Sequence, residues 1–167
     1  HAGLHNVGRL DRDSEGLLLL TTDGKFTDAV ANAGRVPKRY WALVAGVPDD
    51  AALAAMAAPI EIRGRRTLPC AVRRLEWAEA SGSLPPHAPT STLDAARSSW
   101  LEVVLTQGLN RQVRRLTAAA GFPTVRLVRV GIGALQLPSL KLQPGEWCEI
   151  EPESVLEVAD SRSLATS

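Results

Sequence analysis

Four consecutive leucines, Leu17–Leu20, stand between Gly16 and the turn signal Asp23-Gly24. Such a run offers water no polar side, so it reads as a strand buried on both faces or as a short buried helix. Directly before it, Arg9–Glu15 holds three carboxylates (Asp11, Asp13, Glu15) and two arginines (Arg9, Arg12), bracketed by Gly8 and Gly16. The two glycines permit a tight loop that presents Asp11 at the edge of the buried element. A carboxylate held at the mouth of a core is placed for chemistry.

On residue types alone, three other readings of the loop compete. It could be a polar loop whose arginines and acids pair with one another. Asp11, Asp13, Glu15 and Gly16 imitate the first half of a calcium loop, but the closing acid would fall on Thr22 and the intervening residues are leucines. A phosphatase-type Asp-x-Asp should follow a hydrophobic strand, and His5–Gly8 is not one.

The rest of the chain divides into short elements. His1–Val7 lacks periodicity and reads as a loop. Asp23 can cap a helix from Gly24, with Phe26, Ala29, Val30 and Ala33 at helical spacing and Gly34 as its stop. Lys38–Val47 reads as a strand, and Pro48-Asp49-Asp50 opens a helix over Ala51–Ala58 that turns Leu53 and Met56 inward. Ile60–Ile62 and Leu68–Trp77 are two strands separated by Gly64-Arg65-Arg66. Ala78–Ser99, rich in Pro, Ser and Thr, reads as a long surface loop, and Trp100–Thr106 resumes as a strand. Asn110 is an N-cap for a helix Arg111–Ala120, which Gly121 and Pro123 close. On it Val113, Leu116 and Ala120 share one stripe, Arg111 and Arg115 face away, and Arg114 borders the apolar edge. Thr124–Gly133 and Glu146–Glu151 complete the strands. The class is α+β, a mainly antiparallel mixed sheet flanked by a few short helices.

Four segments, taken together, resemble one family. Val7-Gly8-Arg9-Leu10-Asp11-Arg12-Asp13-Ser14-Glu15-Gly16 with the leucines and Thr21 is similar to the catalytic-aspartate motif of bacterial rRNA pseudouridine synthases, in the branch that modifies a single uridine. Lys38-Arg39-Tyr40 followed by Val44-Ala45-Gly46 resembles the segment whose tyrosine lies against the target uracil. Gly108-Leu109-Asn110-Arg111-Gln112-Val113-Arg114-Arg115-Leu116 resembles the segment whose arginine pairs with the aspartate, and Gly121–Arg129 continues the match. With Arg65–Pro69 and Ser99–Thr106, the pattern points to the subtype acting on large-subunit (23S) rRNA that lacks a small N-terminal RNA-binding module. The resemblance covers roughly Val7 to Trp147. The family's further opening strand and Lys-Pro segment has no match here, so the expectation is a catalytic domain over 1–160 lacking its first segment, with a disordered tail at 161–167.

The resemblance implies Asp11 as the catalytic carboxylate, nucleophile or general base. Tyr40 would stack on a flipped base, Arg9 would fill the vacated stack or bind a flanking phosphate, and Arg114 would pair with Asp11. Arg111, Arg115, Arg126 and Arg129 would hold the RNA backbone. Breaking a nitrogen–carbon bond and forming a carbon–carbon bond needs neither redox change nor energy input, so no cofactor and no metal is expected. Plainer assignments stand beside these: a core Tyr40, an Arg114–Glu102 pair, and Trp41, Trp77, Trp100 and Trp147 as packing residues. Two other classes are a non-catalytic RNA-binding fragment and a metal-dependent hydrolase using Asp11, Asp13 and Glu15.

Charge fits the RNA reading only through its distribution. The net charge is +1, yet Val103–Gly145 contains no acid while Arg111, Arg114, Arg115, Arg126, Arg129 and Lys141 all fall there, so one face could be strongly positive. Cys70 and Cys148 lack metal-type spacing and read as reduced, buried thiols. No apolar run approaches a membrane span. The expectation is a cytoplasmic monomer whose partner is ribosomal RNA.

Overall fold

Alternating apolar residues in Lys38–Ala45 and Ser98–Leu105 build the middle of a sheet whose two faces are both covered. The computed structural model describes residues 3–32, 36–85 and 96–156. In chain order the elements are β1 (His5–Val7), β2 (Glu15–Gly16), β3 (Leu19–Thr21), α1 (Gly24–Thr27, prolonged by a π turn over Asp28–Asn32), β4 (Lys38–Ala45) and α2 (Asp50–Ala57). There follow β5 (Glu61–Ile62), β6 (Arg65–Arg66), β7 (Ala71–Leu75), α3 (Trp77–Ser83), β8 (Ser98–Leu105) and α4 (Gln112–Ala119). The last are β9 (Thr124–Ile132), β10 (Leu135–Gln136), α5 (Leu137–Leu140) and α6 (Glu153–Leu156).

The main sheet runs β10-β9-β4-β8-β7, all antiparallel, and β2 adds to β9 in parallel. The mixed, mainly antiparallel α+β class is therefore as the sequence indicates. On one face Trp41, Leu43, Trp100, Val128 and Val130 pack beneath Ala80 and Leu84 of the α3 region. On the other, Ala42, Val44, Leu101, Val103 and Leu127 meet Met56 of α2 and Val113 of α4. A third cluster joins Val7, Leu17 and Leu19 to Val30, Ile132, Leu135 and Val155. The helix caps follow the sequence at Asp23, which accepts from the Lys25 amide at 2.7 Å, and at Asp49, which accepts from Ala52 at 2.8 Å.

Several expectations are corrected. The leucine run is covered on one face only: Leu17 and Leu19 are buried, while Leu18 and Leu20 are 47% and 57% exposed. The reason is that β3 pairs with β1 alone, a two-stranded ribbon with one face on the core. That pairing also makes a strand of His5–Val7. The start of Ala78–Ser99 is the helix α3, because Trp77, Ala80 and Leu84 recur at helical spacing, with Ala80 and Leu84 buried and Trp77 half-buried against them; positions 86–95 lie outside the described residues. Arg65-Arg66 belongs to a strand, not to the turn before it. Glu146–Glu151 forms no strand; the segment beyond it instead seats Val155, fully buried, with its carbonyl accepting from the Ala134 amide at 3.4 Å. Of the tryptophans, Trp41 and Trp100 are core residues but Trp147 is 74% exposed, and Cys148 is exposed rather than buried. The tail at 161–167 lies outside the described residues.

Candidate active site

Asp11 sits on the loop between β1 and β2, in a turn closed by the Ser14 amide donating to the Asp11 carbonyl at 3.0 Å. Arginines from two other elements hold this loop. Arg129 of β9 donates through Nε to the Leu17 carbonyl at 2.8 Å and through a terminal nitrogen to the Gly8 carbonyl at 3.1 Å. Arg126, also on β9, forks onto Glu15 at 3.0 and 2.9 Å and donates to the Pro85 carbonyl at 2.9 Å. Arg111 forks onto Asp13 with two contacts of 2.7 Å. Arg114 lies 3.4 Å from the same carboxylate, donates to the Asp13 carbonyl, and reaches the Thr124 carbonyl at 3.1 Å. Gly16 makes the closest approach. At φ +103 it is in glycine territory, and a Cβ there would run into the Arg129 backbone with which β2 pairs.

The fork on Asp13 sets the local electrostatics. Its hydrogen bonds from Arg111, reinforced by the charge of Arg114, hold the Asp13 carboxyl down to about 2. Reciprocally, the bond to Asp13 raises Arg111, and Asp11 adds to the effect. Burial pushes Arg114 down, against the pull of Asp13 and Asp11.

Beside the loop lies an open cleft of about 400 Å³. Arg9 and Asp11 enter it from the loop, Tyr40 from β4 and Arg111 from the start of α4, with Leu105, Val113 and Leu127 as apolar wall. Tyr40 reaches this face by strand alternation, two and four residues from Ala42 and Val44 of the same core cluster, while the register irregularity opposite Arg39 and Tyr40 is taken up on β9. Arg111 reaches it through a left-handed backbone (φ 52, ψ 35) in the capping position of α4. Asn110 therefore does not cap the helix as its sequence suggests.

The sequence-derived residues thus split. Asp11, Arg9 and Tyr40 converge, and Arg111 joins them at the rim. Arg114 does not bridge to Asp11: among the described residues its carboxylate partner is Asp13. Nor does it pair with Glu102, which takes Arg39 at 3.0 Å and Arg73 at 2.9 Å on the opposite sheet face. Arg126 and Arg129 are corrected outright as RNA-backbone contacts. They are 6% and 3% exposed and bonded to protein groups, so a phosphate cannot reach them. Arg115 is half-buried outside the cleft lining. A hydrolase using Asp11, Asp13 and Glu15 together loses its ligand set, because Asp13 and Glu15 are occupied by separate arginines and no such grouping forms among the described residues. Sequence reading missed Asp13 and Glu15 as loop anchors. The signal available was their alternation with Asp11 at every second position, which fits acids that cannot all face one partner.

Comparison with known proteins adds an independent line. The family model described as RNA pseudouridylate synthase matches residues 2–119. A protein of Xanthomonas campestris named ribosomal large subunit pseudouridine synthase E is 46% identical over 145 residues, 86% of this chain and 75% of that one. A Vibrio vulnificus protein of the same name is 40% identical, covering 88% of this chain and 61% of its own length. An Escherichia coli ribosomal large subunit pseudouridine synthase B is 34% identical over 87% of this chain and 44% of that one. A crystal structure titled pseudouridylate synthase superposes with a TM-score of 0.70 at 27% identity, over 92% of this chain and 58% of that one. The chain thus spans between under half and three quarters of the length of these relatives.

Proposed function

Since the chain belongs to the RNA pseudouridylate synthase family, we propose that it converts one uridine of large-subunit ribosomal RNA into pseudouridine, with Asp11 as the catalytic carboxylate. The observation that carries this is the convergence of Asp11 and Tyr40, from separate elements, in one cleft of about 400 Å³. That volume is within the roughly 300–1,000 Å³ of small-ligand sites, room for a flipped nucleotide. The large-subunit rRNA substrate rests on the names of the relatives.

The reaction is balanced within the nucleotide. The bond from uracil N1 to the ribose breaks, the base turns, and C5 bonds to the same sugar carbon. C5 loses a proton and N1 gains one. Asp11 serves as nucleophile or as general base in this sequence; its position at the loop tip suits both. The Tyr40 ring offers a stacking face to the extruded base, with its hydroxyl available to a proton. The apolar wall keeps the base enclosed while it turns. Arg9, exposed at the mouth, fills the vacated stack or takes a flanking phosphate, and Arg111 supplies positive charge beside the sugar–phosphate chain. We assign the activity to the cytoplasm, where ribosomal RNA is found; no helix among the described residues is long and apolar enough to cross a membrane.

The test is Asp11→Asn. The variant should fold and bind large-subunit rRNA as the wild type does, yet form no pseudouridine by chemical mapping. Appreciable turnover by the variant would remove Asp11 from its role. Wild-type protein that binds the RNA and never modifies it would favour a binding fragment instead.

A further inference from the structure

The hairpin β5–β6 carries three arginines that the site does not use. Glu61 pairs with Arg66 and Ile62 with Arg65, joined by the two-residue turn Arg63-Gly64. Arg63, Arg65 and Arg66 are all exposed, and none has a side-chain partner among the described residues. The turn has φ +51 at Arg63 and +74 at Gly64, the combination of a type I′ hairpin, whose first position favours Asn, Asp or Gly. An arginine there is strained by its Cβ. Only three non-glycine residues among those described adopt positive φ, namely Arg63, Arg111 and Lys141, and all are basic. One of them, Arg111, lines the cleft.

The hairpin is also rooted by hydrogen bonds, and its root is tied to the segment that leads into the cleft lining. The Thr67 amide donates to the Ile60 carbonyl at 2.8 Å while the buried Thr67 hydroxyl accepts from the Ile60 amide at 2.9 Å. Ile62 is buried. The Leu68 amide donates to the side chain of Gln107 at 2.8 Å, and Gln107 leads directly into the cleft-lining segment Gly108–Arg111. Gln112, which lines the cleft, lies 3.5 Å from that same Gln107 oxygen.

We propose that the β5–β6 hairpin is a second RNA contact, in which Arg63, Arg65 and Arg66 grip the phosphodiester backbone outside the cleft and fix the approach of the strand that delivers the target uridine. This rests on the reading of the cleft as an RNA site. Guanidinium forks match phosphate oxygens in pairs, and three of them on a stiff two-strand arm present charge without the entropy of a loose loop. The strained Arg63 fits a residue kept for contact rather than for the turn.

The decisive variant is Arg63→Asn in the full chain, because asparagine relaxes the left-handed turn while removing the cation. Its melting temperature should equal or exceed that of the wild type. Its affinity for a protein-free large-subunit rRNA fragment should fall several-fold, and the dependence of log affinity on log salt should flatten by roughly 0.7–0.9, one phosphate's worth. Arg65→Gln and Arg66→Gln should each add a similar loss. Unchanged affinity and salt slope in Arg63→Asn would overturn the proposal. A lowered melting temperature would overturn the strain argument on which it stands. Wild-type protein assayed alongside separates the two readings: if it forms no pseudouridine the proposed activity fails, whereas binding by the variants decides the hairpin alone.

Discussion

Replacing Asp13 by asparagine tests whether the arginine fork, rather than the backbone alone, holds the Asp11 loop. Holding the Asp13 carboxyl at about 2 instead of its ordinary 3.8 corresponds to roughly 2.5 kcal/mol before solvent screening. The side chain is 48% exposed, so solvent screening reduces the stabilisation to about 1 kcal/mol. For a chain of this size that lowers the melting temperature by about 2–4 °C. The sign follows from the direction: a depressed carboxyl pKa stabilises the fold above the unfolded value of 3.8 and ceases to do so as pH falls through about 2. Urea unfolding of Asp13→Asn should therefore show the full deficit at pH 7 and about half of it near pH 3. Turnover should fall as well, since the variant keeps the Asp13 carbonyl for Arg114 but loses the fork that ties the Asp11 loop to α4. RNA affinity at low salt should not fall, because Arg111 and Arg114 lose their counter-charge. A deficit that is independent of pH, or unchanged turnover, would refute the tether.

Two further substitutions probe the same loop. Gly16→Ala combines a left-handed backbone with a collision against the Arg129 main chain, so it should lose more than about 3 kcal/mol in urea unfolding and forfeit activity with it; a loss under 1 kcal/mol would show that the β2–β9 approach is not tight. Arg126→Met removes the guanidinium fork from Glu15 and the donor to the Pro85 carbonyl, and with Glu15 about one-third exposed the loss should be about 2 kcal/mol, below that of a fully buried pair. Its RNA salt slope should match the wild type, and a slope flattened by one contact without loss of stability would return Arg126 to the RNA surface.

Much of the scaffold is legible because its causes are local. Asp23 and Asp49 cap helices with their own side chains, and β4 and β8 announce themselves by stretches rich in aliphatic and aromatic residues that end up buried on both faces. The turn into Asp11 is visible in Gly8 and Gly16 for the same reason. What stays hidden depends on partners far along the chain. Leu18 and Leu20 look like core because nothing in the run says that β3 has a neighbour on one side only. Asn110 has the right side chain for a cap, yet the fork between Arg111 and Asp13 accompanies a left-handed Arg111 that occupies the capping position. Trp77, Ala80 and Leu84 are spaced as a helix, but Gly82 and the following prolines mask the period.

The arginines show the limit most clearly, and they also explain how one carboxylate is singled out. On composition, Arg111, Arg114, Arg126 and Arg129 form a basic stretch awaiting an anion from outside. In the fold, five acceptors within the Gly8–Leu17 loop are waiting for them: the carboxylates of Asp13 and Glu15 and the carbonyls of Gly8, Asp13 and Leu17. Glycine at both ends leaves those carbonyls uncovered, and α4 and β9 bring the cations to them. The outcome is asymmetric. Of the three carboxylates on the loop, two are bound by arginine and are thereby fixed as structure. Asp11 makes no ion pair among the described residues, feels Arg111 and Arg114 only through space, and opens on the cleft. On a loop whose other two acids are tied to arginines, Asp11 is the carboxylate left open to the cleft, which is the arrangement the proposed catalytic role requires.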